Sequence, residues 1–98
     1  MSKSLFVNLP VENLQRSVDF FSHLGFTFNP QFTDEQSTCM IVSENIFVML
    51  LEHAKFQGFI DKSIAPKHTT EAILALSCES ADEVRSLTEK LLSRVLVD

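Results

Sequence analysis

The side chains in this sequence that could do chemistry are few and scattered: His23, His53 and His68, Cys39 and Cys78, and the adjacent carboxylates Asp34 and Glu35. A metal site carried on one helix needs imidazoles at His-x-x-His or His-Glu-x-x-His spacing, and none occurs. A nucleophile elbow needs a serine on a glycine-flanked turn, and phosphate binding needs a glycine-rich loop. With Gly25 and Gly58 the only glycines, both are excluded. Asp34 and Glu35 are neighbours, so on a strand they point to opposite faces and form no acid–base pair; they read as a solvated turn. His23 ends a helical pattern, where an imidazolium favours the negative pole of the helix, and His53 and His68 flank or lie in a connector. These groups supply no catalytic residue and no metal ligand. Each cysteine sits inside an apolar, strand-like run, which suits a reduced, buried thiol better than a disulfide framework.

Elements must therefore be read for what they position. A chain of 98 residues, 45% hydrophobic, makes one small domain with a single core. Eight Lys and Arg against 13 Asp and Glu give a net charge of -5 and no basic cluster, so nucleic acid is not an expected partner. No apolar run approaches the roughly 18 residues of a membrane span, and the first residues lack a leader pattern. The expected setting is the cytoplasm, away from membranes.

Residues 4–11 alternate and are rich in Leu, Phe and Val, giving a strand that closes at Pro10, which cannot donate to a ladder. Asn13 has the chemistry of a helix N-cap. Leu14, Val18, Phe21 and Leu24 then form one apolar stripe, with Gln15, Arg16, Asp19 and Ser22 on the other side, and Gly25 supplies the left-handed stop. Residues 26–32 read as a strand broken by Pro30, hence an edge or a bulge. Residues 37–42 and 46–51 are two further strands, joined through Ser43-Glu44-Asn45 as a tight hairpin. The next stretch, with Gly58 and Pro66, holds no period and acts as a connector in which Phe56, Phe59 and Ile60 pack as a lid. Strand character returns over residues 72–78, and Ser80-Ala81-Asp82-Glu83 is a capping box before the stripe Val84, Leu87, Leu91 and Val95. Ile73 and Ser80 stand at the spacing of Phe6 and Asn13, so the second unit repeats the first unit's strand and cap.

The segment LPVENLQRSVDFFSHLGF (residues 9–26), with the hairpin through Leu51 and ILALSCES (residues 73–80), resembles the vicinal-oxygen-chelate superfamily. That family includes glyoxalases, bleomycin-resistance proteins, fosfomycin-modifying enzymes and extradiol dioxygenases. The resemblance implies an α+β fold in which βαβββ modules pair into a cupped sheet, with a divalent metal held by His, Gln or Glu side chains in the active members. It implies a single glyoxalase-like domain over residues 1–98: a first βαβββ module over 1–51, a connector over 52–71, and an incomplete second module, strand plus helix, over 72–98. Three strands of a second copy would lie beyond Asp98.

By the same resemblance, the family's metal positions fall on Phe6, Met49 and Ile73, none of which offers a hard cation an oxygen or imidazole donor. Asn8 shares Phe6's strand face, but one carboxamide holds a metal weakly, and His53 lies too far along the strand to replace Met49. No metal and no cofactor are expected. Phe6, Asn8, Phe47, Met49 and Ile73 become candidates for lining an apolar ligand cavity, or simply core.

A half-built cup exposes strand edges and an apolar face, so self-association is expected, as a homodimer of paired first modules or by exchange of sheet. Three readings of function follow. One is a non-catalytic protein of bleomycin-resistance type that binds a small hydrophobic ligand in a groove between chains, and the missing donors favour it. The others are a metal-dependent lyase, transferase or dioxygenase of glyoxalase type, and a structural or vestigial dimer without ligand.

Overall fold

The structure, a computed structural model, describes residues 3–66, 68–69 and 72–97, with side chains of the last helix described as far as Glu89. The chain divides into two compact units, Met1–Ile64 and Ala65–Asp98.

The first unit is built in the order β1 (Leu5–Val11), α1 (Leu14–His23), β2 (Thr27–Asn29), a single 3-10 turn (Pro30–Phe32), β3 (Ser37–Ser43), β4 (Ile46–Glu52) and α2 (His53–Gln57). Its sheet has the order β1-β4-β3-β2, with β1 parallel to β4 and the other pairings antiparallel. Parallel neighbours cannot be joined by a tight hairpin, so α1, β2 and β3 form the crossover that returns the chain beside β1. Pro10 is tolerated within β1 because β1 is an edge strand, and an N–H missing from its outward side costs no ladder bond.

Local chemistry sets the helix ends. The Asn13 side-chain oxygen accepts from the Arg16 N–H at 3.0 Å, as an N-cap should. At the other end Gly25 adopts φ 102°, the Gly25 N–H donates to the Ser22 carbonyl at 3.0 Å, and the Phe26 N–H donates to the Phe21 carbonyl at 3.1 Å. This is a Schellman stop, and the Phe21 and Phe26 rings make its hydrophobic contact at 6.1 Å. In the β3–β4 hairpin no non-glycine residue has positive φ, so the primed turns are excluded; the register shifts between Ile41 and Ser43, and a bulge there absorbs the mismatch.

One face of the sheet carries the core. Leu14 of α1 packs with Met40, Val48 and Leu50, and Val7, Leu9, Val18, Phe21 and Phe28 surround them. Alternation along each strand leaves Phe6, Asn8, Phe47, Met49, Cys39 and Ile41 on the other face. The connector is more ordered than its composition predicts: α2 opens it and packs against β1 and β4, so His53 is helical rather than a continuation of β4.

The second unit contains α3 (Ala81–Val97). The Ser80 hydroxyl accepts from the Glu83 N–H at 3.1 Å, and the Glu83 carboxylate accepts from the Glu79 N–H at 2.8 Å, one residue further back than the capping box predicts. The expected strand over residues 72–78 is not formed: this backbone has no strand pairing among the described residues. Apolar alternation marks a segment able to join a sheet, but a strand exists only beside a hydrogen-bonding neighbour. Leu91 and Val95 of the predicted stripe, and the end of the predicted connector at residues 70–71, lie outside what is described. No helix among the described residues is long and apolar enough to cross a membrane.

Candidate ligand-binding face

Parallel register places Phe6 directly against Phe47 and Asn8 against Met49. The two rings stack with centroids 4.8 Å apart and planes 15° from parallel. Phe6 stays 51% exposed, so one face of the stacked pair remains available. Across the sheet Met49 faces Cys39, and Ile41 faces Phe47, which extends the apolar surface over three strands. The Asn8 carboxamide donates only a long contact, 3.4 Å, to its own strand at the Phe6 carbonyl.

At one end of the face a pocket of about 300 Å³ opens between Asn8, Leu51, Phe56, Phe59 and Ile60. The three connector residues expected to pack as a lid line this pocket, Phe56 from α2 and Phe59 and Ile60 from the turn after it, but Phe59 is 71% exposed and does not pack closely. Four of the five predicted binding residues, Phe6, Asn8, Phe47 and Met49, therefore share one face of the first unit. Ile73 belongs to the second unit, on residues without regular structure, and is 87% exposed.

Tested against a divalent cation, these side chains do not fit. Phe6 and Phe47 carry no donor atom, and Met49 offers a soft thioether where magnesium, manganese or zinc prefers oxygen or nitrogen. Among the described residues no three His, Cys, Asp or Glu side chains group closely enough to hold a metal ion. Both cysteines are free thiols, but only Cys39 is buried; Cys78, in the second unit, is partly exposed, against the expectation of two buried thiols. Burial pushes the Cys39 thiol above its ordinary range.

A larger cavity, about 630 Å³, lies on the α1 side of the sheet and includes Leu14, Phe28, Asp34, Glu35, Thr38 and Glu52 in its lining. Sequence parity separates Asp34 from Glu35, but both lie in an irregular bend before β3, where strand alternation does not apply, and both line this cavity. Asp34 is held by the Gln36 N–H at 2.8 Å, the Ser37 hydroxyl at 3.0 Å and Lys55 at 3.5 Å. These donors, the Gln36 N–H foremost, keep its carboxyl below the usual range. Glu52, expected to open the connector, closes β4 instead. Its carboxylate accepts from the Leu14 N–H at 3.0 Å, across 38 residues of sequence. The signal for it was parity: Glu52 continues the inward row of Val48 and Leu50.

Comparison with known proteins agrees with this architecture. Residues 3–43 match the family described as bleomycin resistance protein-like N-terminal. A hypothetical protein from S. aureus is similar in structure, with a TM-score of 0.75 and 28% sequence identity over 95% of this chain and 70% of that one. No curated protein matches. The βαβββ module with β1 laid parallel to β4 is similar in sequence, from β1 through β3, to the bleomycin resistance protein-like N-terminal family and similar in fold to a solved structure, which supports the resemblance of this chain to the glyoxalase and bleomycin-resistance superfamily.

Proposed function

We propose that this chain is a non-catalytic binding protein that takes a flat, apolar molecule against the β1–β4 face, with two chains pairing to complete the groove. The observation that carries this reading is the stacked, half-exposed pair of Phe6 and Phe47, beside Asn8 and next to the pocket under Phe56 and Phe59. An aromatic ring laid on an exposed ring adds offset stacking to the area it buries, and one carboxamide is enough to orient a single polar substituent. The same surface supports self-association, because β1 is an edge strand of the sheet among the described residues and the apolar residues Leu5, Phe6 and Ile46 lie exposed around it.

Titration with 2-naphthol, followed by amide shifts, tests the reading. Saturable shifts are expected on β1 and β4 around Phe6, Asn8, Phe47 and Met49, with Phe47→Ala weakening binding by about threefold to tenfold, the value of one aromatic contact. Uniform, unsaturable shifts, or the same affinity in Phe47→Ala, would remove the basis for it.

A further inference from the structure

We propose that the cavity on the α1 side of the sheet is a separate binding site for a small organic cation with an apolar body, such as a protonated arylalkylamine. Its volume of about 630 Å³ is within the range of small-molecule sites. Leu14, Val18 and Phe28 give it an apolar floor continuous with the core. Its polar lining is acidic: Asp34 and Glu35 from the bend before β3, and Glu52 from the end of β4, with no lysine or arginine among the lining residues.

The carboxylates are not equivalent. Glu52 is tied to the first N–H of α1, which fixes its position and offsets the positive pole that a helix N-terminus would otherwise turn toward a cation. Asp34 is anchored by the Gln36 N–H and the Ser37 hydroxyl, with Lys55 as its cationic partner among the described residues. Glu35 has no hydrogen-bond or ion-pair partner among the described residues, so two of the three negative charges face the cavity without a cation beside them. The remaining wall is preorganised. The Thr33 hydroxyl donates to the Asn29 carbonyl at 2.8 Å, which leaves it to accept from Thr38, 2.8 Å away and only 1% exposed. An anion would meet repulsion here, and a neutral apolar molecule would gain only the floor. A protonated amine on an aromatic or branched body gains both floor and rim.

This site and the Phe6–Phe47 face lie on opposite sides of the same sheet, so neither proposal depends on the other. Phenethylammonium chloride is the probe, with 3-phenylpropionate as the anion of matched apolar body, each titrated into the whole chain and followed by amide and methyl shifts. The cation should give saturable shifts at Leu14, Val18, Phe28 and Thr38 and none centred on Phe6 and Phe47, while the anion gives none at the cavity. Binding should weaken as sodium chloride rises from about 20 to about 200 mM, because the rim is solvent-accessible. Glu35→Gln, a change at an exposed position, should weaken it about twofold to fivefold, with an otherwise native spectrum. Equal response to the anion, shifts confined to the other face, or affinity indifferent to both salt and Glu35→Gln would overturn the proposal.

Discussion

Two side chains show how position sets reactivity. Cys39 lies at the centre of the sheet with its thiol buried and its pKa raised, whereas Cys78 is partly exposed on unpaired backbone. Since the thiolate is the reactive species, a disulfide reagent should modify Cys78 quickly in the native protein and reach Cys39 only on unfolding. Counting reactive thiols before and after denaturant checks this; two fast thiols in the native state would contradict the placement of β3. Asp34 gives a pH prediction. Its folded pKa is depressed below 3.8, first by the Gln36 N–H and then by the Ser37 hydroxyl. Its contribution to stability is therefore present above about pH 4 and is lost as pH falls through the lower folded value. Urea unfolding of wild type and Asp34→Asn should differ above pH 4 and converge toward pH 2. A gap that stayed constant with pH would mean that this carboxylate is not held as described.

At the level of elements, α1 is specified at both ends by side chains with separate tasks. Asn13→Ala removes the cap on the Arg16 N–H and should cost about 1 kcal/mol. Gly25→Ala forces a Cβ into the left-handed region at φ 102° and should cost about 1–2 kcal/mol. The two sites lie at opposite ends of one helix and share no partner, so the double variant should lose the sum, measured as a shift in urea midpoint at unchanged slope. Clear non-additivity would show that the caps act through the sheet rather than through the helix. α2 shows the reverse situation. It is five residues long, its side chains make no N-terminal cap, and it packs against β1 and β4. Isolated helices of this length are not stable in water, so tertiary packing supplies its stability.

Across the whole molecule, the first unit leaves exposed around β1 what a binding face and a sheet edge both need: Leu5, Phe6 and Ile46, on and beside the edge strand of the sheet among the described residues. On the proposed pairing of chains, sedimentation equilibrium should show a concentration-dependent dimer. Phe6→Asp, which places a charge in the apolar surface, should move it toward monomer while leaving the α1-side core intact. A monomer at all concentrations for both proteins would sink the pairing.

What the sequence determined by itself was local. Asn13, Gly25, Pro30 and Ser80 act within a few residues through backbone hydrogen bonds and allowed φ; alternation assigned β1, continuous apolar runs assigned β3 and β4, and parity put Phe6 and Asn8 on one side of β1, whereas their place beside Phe47 and Met49 came from the β1–β4 register. Residues 9–26 also carried the resemblance to the glyoxalase and bleomycin-resistance superfamily. Tertiary structure decided whatever depended on a distant neighbour. Residues 72–78 have the pattern of a strand and no ladder, because alternation describes side chains and pairing requires another backbone. Asp34 and Glu35 face one cavity because a bend abolishes strand parity, and Glu52 reaches Leu14 only after β4 is laid beside β1. Short-range chemistry is written in adjacent residues, whereas a cavity is bounded by side chains that only the folded backbone brings together.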